Sequence, residues 1–226
     1  MGRLVETQIG RSRVGIATSS GKSYYRISNL LKKTGIPFVD VVANDPNESD
    51  VSFSSTFLSD YGLIVTTRKE QLRFPIENVI CEEDLGEDAG LAKQKLLALL
   101  YPTRIDDVFV IGIDPGERTG IAAFLNRREV ESSVHMTFDA MLERVSALID
   151  NAPDVKKVVK IGTGNPYRAL HIARLVAEKY NDLVEINLVN ESGTSALKRK
   201  GRALAGTRDQ RAARLIAFRN GSRYNP

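Results

Sequence analysis

The stretch VFVIGIDPGERTG, residues 108–120, decides the fold. An unbroken apolar run with no polar alternation reads as a strand covered on both faces, the pattern of a central strand in an α/β sheet. It ends on Asp114, followed at once by a Pro-Gly turn that lets backbone approach a neighbour closely. TGIAAFL (119–125) and EVESSVHMTF (129–138) follow as two more strands across short turns, which favours antiparallel pairing.

Beyond this meander, FDAMLERVSALIDNA (138–152) sets Phe138, Met141, Leu142, Val145 and Leu148 on one helical face. VKKVVKIGTG (155–164) is a strand, PYRALHIARLVAEKY (166–180) a helix opening on Pro166, and VEINLVN (184–190) the last strand. TRDQRAARLIAFRNG (207–221) predicts a closing helix capped by Thr207 and ending near Gly221. The order β-β-β-α-β-α-β-α implies a mixed sheet with an antiparallel hairpin on one edge and helices on both faces.

The preceding hundred residues read as a separate, small α/β domain, receiver-like or flavodoxin-like. RVGIATS (13–19), PFVDVVA (37–43), YGLIVTT (61–67) and ENVICEE (77–83) predict strands. SYYRISNLLKKTG (23–35) and EDAGLAKQKLLALLY (87–101) predict helices. With PTRIDD (102–107) as linker, the expected domains are 1–104 and 107–226. TSSGKS (18–23) resembles part of a phosphate-binding loop, but Ile16 stands where the required glycine belongs. A plain strand-to-helix turn, with Ser23 near the cap, is the better reading.

Composition narrows the chemistry. The chain has 226 residues, 42% hydrophobic and 27% charged, with one cysteine and two histidines. A disulfide framework and a thiolate or histidine zinc site are therefore not expected, and a metal, if used, is a hard ion on carboxylates. The absence of a membrane-length apolar run and of a signal-like start predicts a cytoplasmic protein with no membrane partner. The net charge is +4, and residues 192–226 hold nine basic residues against the single acid Asp209. That bias suits a polyanion-facing surface or, more plainly, solubility.

Asp114 closes the central strand at its carboxyl end, where open α/β sheets place ligand sites. Glu191 directly follows the last strand, and Asp209 lies two residues beyond the expected cap of the closing helix. Singly, each has a plain role: turn former, solvated loop charge, helix-dipole partner. Together they predict three carboxylates at one edge, which repel unless cations neutralise them. A pair of divalent ions does this and serves in-line phosphodiester hydrolysis.

IGIDPG (111–116) with TGIA (119–122), then VNESGTSAL (189–197), then DQRAARLIA (209–217) resemble the RuvC-type Holliday-junction resolvases of the RNase H-like superfamily. They resemble still more the YqgF branch of resolvases and pre-ribosomal-RNA nucleases. The resemblance covers residues 107 to 221, roughly half the chain. It implies an RNase H-like fold and a nuclease using Mg²⁺ or Mn²⁺, with Asp114, Glu191 and Asp209 as catalytic and metal-binding residues. It also implies structured DNA or RNA as substrate, and a homodimer as in junction resolution. Asn190 and Ser192 depart from the acidic and basic neighbours of the family glutamate, while the non-acidic IGTGNP turn matches the YqgF branch.

Lys198, Arg199, Lys200 and Arg202 lie between Glu191 and Asp209, flanked by Gly201 and Gly206, and suit contacts to a phosphate backbone. Arg211, with Arg208 and Arg214 at three-residue spacing, either lines the same surface or serves solubility. Arg168, in the turn IGTGNPYR, either faces a phosphate or lies in a helix start capped by Asn165. The expected function is a metal-dependent nuclease. A non-catalytic nucleic-acid or protein-binding module, its N-terminal domain docking an unknown partner, is the alternative. An actin- or sugar-kinase-like ATPase needs a second copy of the domain, which the chain lacks.

Overall fold

The computed structural model describes residues 14–41, 61–74, 77–190 and 205–225. The chain divides into two compact units, Met1–Pro102 and Thr103–Pro226. Both are α/β, one with a parallel sheet and the other with a mixed one.

The first unit holds β1 (Val14–Ile16), α1 (Gly21–Thr34), β2 (Phe38–Asp40), β3 (Leu63–Thr66) and β4 (Val79–Cys81), followed by the short α2 (Glu82–Leu85) and α3 (Ala89–Leu100). Its four strands are parallel, in the order β2-β1-β3-β4. Val14, Leu63, Ile64 and Val65 are fully buried, so the short strands carry the core of this unit.

TSSGKS is the β1–α1 turn. Its cap is Ser20, whose side chain accepts from the N–H of Ser23, so Ser23 lies beside the cap in the first turn of α1. The turn holds an anion of its own. The Glu70 carboxylate accepts from the Ser19 N–H at 2.8 Å, the Ser19 hydroxyl at 2.6 Å, Thr18 Oγ1 at 2.6 Å and Thr67 Oγ1 at 2.7 Å.

The second unit holds β5 (Val108–Pro115), β6 (Thr119–Leu125), β7 (Arg128–His135), α4 (Phe138–Asp150), β8 (Lys156–Gly162), α5 (Pro166–Tyr180), β9 (Glu185–Val189), α6 (Arg208–Ala217) and β10 (Ser222–Arg223). The sheet order is β10-β9-β8-β5-β6-β7, with β5 in its interior. β5, β6 and β7 pair antiparallel, while β5, β8 and β9 are parallel. Both crossovers, β7 to β8 and β8 to β9, advance the same way across the sheet. Right-handed connections therefore put α4 and α5 on one face, and α6 returns over the other.

The lack of alternation in VFVIGID follows from this two-sided cover. Phe109, Ile111 and Ile113 are buried on one face, joined by Ile121, Val159 and Ile161. On the opposite face Val110, Ala122, Phe124, Ala213 and Ala217 pack together. α6 comes unusually close there: a β-carbon on Gly112 would stand 2.2 Å from the Ala213 carbonyl oxygen.

Two boundaries differ from the sequence expectation. β7 stops at His135, because Thr137 caps α4 by accepting from the Ala140 N–H. α6 ends at Ala217 rather than near Gly221, and the chain then adds β10 antiparallel to β9.

Candidate active site

Antiparallel pairing of β5 and β6 sets Asp114 directly opposite Gly120. Paired residues of this kind lie about 4.5–5.5 Å apart at Cα and present their side chains to the same face. On that face, a β-carbon on Gly120 would stand 2.3 Å from the Asp209 carbonyl oxygen and 2.6 Å from its carbonyl carbon. The first turn of α6 thus rests on Gly120, and Asp114 and Asp209 become neighbours although 95 residues separate them. The capping box of Thr207 and Gln210 fixes where the helix begins. The Gln210 side-chain amide also donates to the Ser132 carbonyl of β7 at 2.8 Å, tying the helix start to the sheet.

Asp209 is mostly buried, with its side chain 17% exposed. Its Oδ2 is fully buried and accepts no hydrogen bond among the described residues, yet Arg118 Nε lies 3.2 Å away. The two observations are compatible. The guanidinium is within ion-pair distance, but its N–H is not aligned on the oxygen, so the contact is Coulombic. A buried carboxylate oxygen without an aligned donor is costly, and a cation suits it.

Glu191 and the basic residues Lys198, Arg199, Lys200 and Arg202 lie outside the described residues. Asn190, which precedes Glu191, follows β9 at the same edge as Asp114, since β9, β8 and β5 run parallel. β9 lies two strands from β5, about 10 Å across the sheet. Among the described residues no three His, Cys, Asp or Glu side chains form a metal-holding group. The described part of the site is the Asp114–Asp209 pair.

Arg168 lies at this edge too. Its Nη1 donates to the carbonyl of Gly116, so it braces the turn that follows Asp114. Asn165 caps α5, accepting from the Arg168 N–H at 3.2 Å. The side chain of Arg168 therefore reaches the site while its backbone serves the helix cap. Arg211 is exposed. Arg214 is not available in the same way: it makes a two-point pair with Glu129, Nε to Oε2 at 2.6 Å and Nη2 to Oε1 at 2.8 Å. The three-residue spacing of these arginines thus conceals different roles, a contrast set by the position of Glu129 on β7.

Sequence reasoning missed Arg118, because nothing local marks an arginine in a hairpin turn as a partner for a residue 91 positions on. It also missed a polar chain on the other face of the sheet, where Ser133 Oγ lies 2.9 Å from His135 Nε2 and donates to Glu131 at 2.8 Å. Arg144 binds Glu131 in turn, and burial lowers the His135 pKa. This is not a nucleophile–base pair. The hydroxyl proton is directed to Glu131, and the chain ties α4 to β7.

A groove of about 730 Å³ on the α6 face is lined by Val110, Phe124, Lys160, Asn187, Phe218 and Asn220. It lies toward the opposite end of the strands from Asp114. Lys160 donates there to the Arg219 carbonyl at 2.7 Å, and burial lowers its pKa.

No protein-family model and no curated protein matches the chain. A solved structure, the crystal structure of Aa-Ago with externally bound siRNA, is similar at 14% identity and a TM-score of 0.26. The match covers 79% of this chain and 35% of that one. So slight a likeness bears on neither fold nor function. No helix among the described residues is long and apolar enough to cross a membrane.

Proposed function

We propose that the second unit is an RNase H-like, divalent-metal-dependent nuclease that hydrolyses phosphodiesters in structured DNA or RNA. The observation that carries this reading is the seating of the Asp209 backbone on Gly120, the residue paired with Asp114 at the carboxyl end of the central strand. The strand order supports it: β6 and β7 continue from β5 as an antiparallel meander on one side, and the parallel β8 and β9 lie on the other, with β10 antiparallel at the edge.

The donor set fits the ion. Carboxylate oxygens suit Mg²⁺ or Mn²⁺, and the buried Asp209 Oδ2 lacks an aligned donor. Asp114 and Asp209 would hold it, with Glu191 as the third ligand implied by the resemblance. Held there, such an ion would supply charge neutralisation at the phosphate and acidification of a water. The chain's own residues do the rest. Arg168 holds the turn after Asp114, and Arg211 with Lys198, Arg199, Lys200 and Arg202 grips the phosphate backbone.

The first unit, in this reading, docks a partner and does not bind nucleotide. Its β1–α1 turn, where a phosphate would sit, already carries the Glu70 carboxylate.

The test is cleavage of a four-way DNA junction and of a structured RNA by the full chain with Mg²⁺ or Mn²⁺, beside Asp114→Asn and Asp209→Asn. A metal contributes several kcal/mol to such a step, and about 1.4 kcal/mol is tenfold in rate. Each variant should therefore lose at least about a hundredfold in rate while retaining nucleic-acid binding. Absence of cleavage on both substrates together with absence of Mn²⁺ binding overturns the nuclease reading. Nucleic-acid binding that persists in that case identifies a binding module.

A further inference from the structure

Arg118 projects from the three-residue turn between β5 and β6, and its Nε lies 3.2 Å from Asp209 Oδ2. Three features of the pair are unlike an ordinary surface ion pair. The carboxylate oxygen is fully buried and has no aligned hydrogen-bond donor among the described residues. The arginine is 56% exposed, so its side chain is accessible to solvent. The turn that carries it is fixed independently, by Arg168 on the Gly116 carbonyl, so the Arg118 side chain can move while its backbone stays.

We infer that Arg118 is a built-in counter-ion of Asp209, which yields that carboxylate to a divalent cation and then contacts the substrate phosphate. This inference rests on the nuclease reading and adds to it a residue and an order of events. A guanidinium and a divalent ion beside one carboxylate oxygen repel each other, so the two compete for it. Until the ion arrives, the guanidinium offsets the cost of a buried negative charge. Once it arrives, an always-charged planar fork is released beside the ion, and this geometry matches a phosphate's oxygens two at a time. The Coulombic, unaligned contact suits this exchange better than a two-point pair would. The Arg214–Glu129 pair is such a two-point pair, and it holds structure.

The experiment is Mn²⁺ titration by calorimetry on the full chain, for wild type, Arg118→Gln, Asp209→Asn and the double variant. Nucleic-acid binding in Mn²⁺, with a four-way DNA junction and a hairpin RNA as probes, is measured across a salt series. Removing a competing half-exposed cation should tighten Mn²⁺ binding about two- to fivefold in Arg118→Gln. On the Asp209→Asn background the same change should have no effect, since the competition acts through that carboxylate. In Mn²⁺, Arg118→Gln should bind the probes more weakly, with the salt slope reduced by about one.

Equal Mn²⁺ affinity in wild type and Arg118→Gln overturns the inference and leaves the metal reading standing. Tighter Mn²⁺ binding with an unchanged salt slope overturns the phosphate contact. Absence of Mn²⁺ binding in every protein overturns both the inference and the reading beneath it.

Discussion

Gly120 and Asp209 are in backbone contact: a β-carbon on Gly120 would stand 2.3 Å from the Asp209 carbonyl oxygen. Because Gly120 also pairs with Asp114, one missing side chain sets how near the two carboxylates come. The same device recurs two residues earlier on β5. There Gly112 lies against the Ala213 carbonyl and the Ala217 amide and lets the middle of α6 lie flat on the sheet. Electrostatics at the edge and packing in the core thus share a helix and a sheet face.

These two glycines give a pair of variants that separates packing from site geometry. In Gly120→Ala the clash is with backbone, which cannot rotate away, so the first turn of α6 must lift. In Gly112→Ala the clash falls further along the helix. Overpacking of this kind costs about 1–3 kcal/mol, and both variants should melt earlier than wild type. Under the nuclease reading, Gly120→Ala should in addition weaken Mn²⁺ binding well beyond any loss in Gly112→Ala. Calorimetry on folded protein checks this, and equal Mn²⁺ affinities in the two variants count against Gly120 as the spacer.

The arginines of α6 should divide by partner. Arg214 is only 15% exposed and grips Glu129 at two points, while also donating to the Ala205 carbonyl. The hydrogen bonds to Glu129 raise the Arg214 pKa, which keeps the guanidinium charged. Arg214→Ala should therefore cost about 1.5–3 kcal/mol, the range for hydrogen bonds to charged groups. Arg211→Ala, at an exposed position, should stay within about 0.5 kcal/mol of wild type. Under the nuclease reading, nucleic-acid affinity should respond the other way, with Arg211→Ala weakening binding and lowering the salt slope by about one. Urea melts and a salt series on a hairpin RNA test both halves. A stable Arg214→Ala variant would remove the structural role.

Much of this arrangement is legible in the sequence. The central position of VFVIGID followed from its unbroken apolar run, because only a strand covered on both faces can lack alternation. Asp114 at its end and Asp209 in the first turn of a helix capped by Thr207 were legible from strand polarity and cap chemistry. The contacts that join them were not. The approach of Gly120 to Asp209 depends on how α6 seats across the sheet. Arg118 reaches Asp209, and Arg214 reaches Glu129, over separations that no local pattern encodes. Spacing alone argues against a phosphate loop at the β1–α1 turn. The group that takes its donors, Glu70, lies 51 residues away from Ser19.

Glu70 makes the stability of the first unit depend on pH. Burial pushes its carboxyl pKa up, but the Ser19 hydroxyl, the Thr18 hydroxyl, the Ser19 N–H and the Thr67 hydroxyl all donate to the charged form and outweigh burial. The result is a pKa held at about 2, against 4.5 without the fold. A carboxyl depressed on folding contributes stability that is fully present above its unfolded pKa. That contribution is lost as pH falls from 4.5 through about 2. Stability of the first unit should therefore change little between neutrality and about pH 5 on account of this group, and drop below that. Glu70→Gln presents an amide that cannot accept from four donors, and should cost about 1.5–3 kcal/mol at neutral pH. Its deficit against wild type should shrink as the pH approaches 2, where the wild-type carboxyl is itself protonated. Hydrogen exchange of residues 14–34, followed from neutral pH into acid for both proteins, reads this directly. Parallel profiles across the whole range would mean that the four donors do not hold the charge.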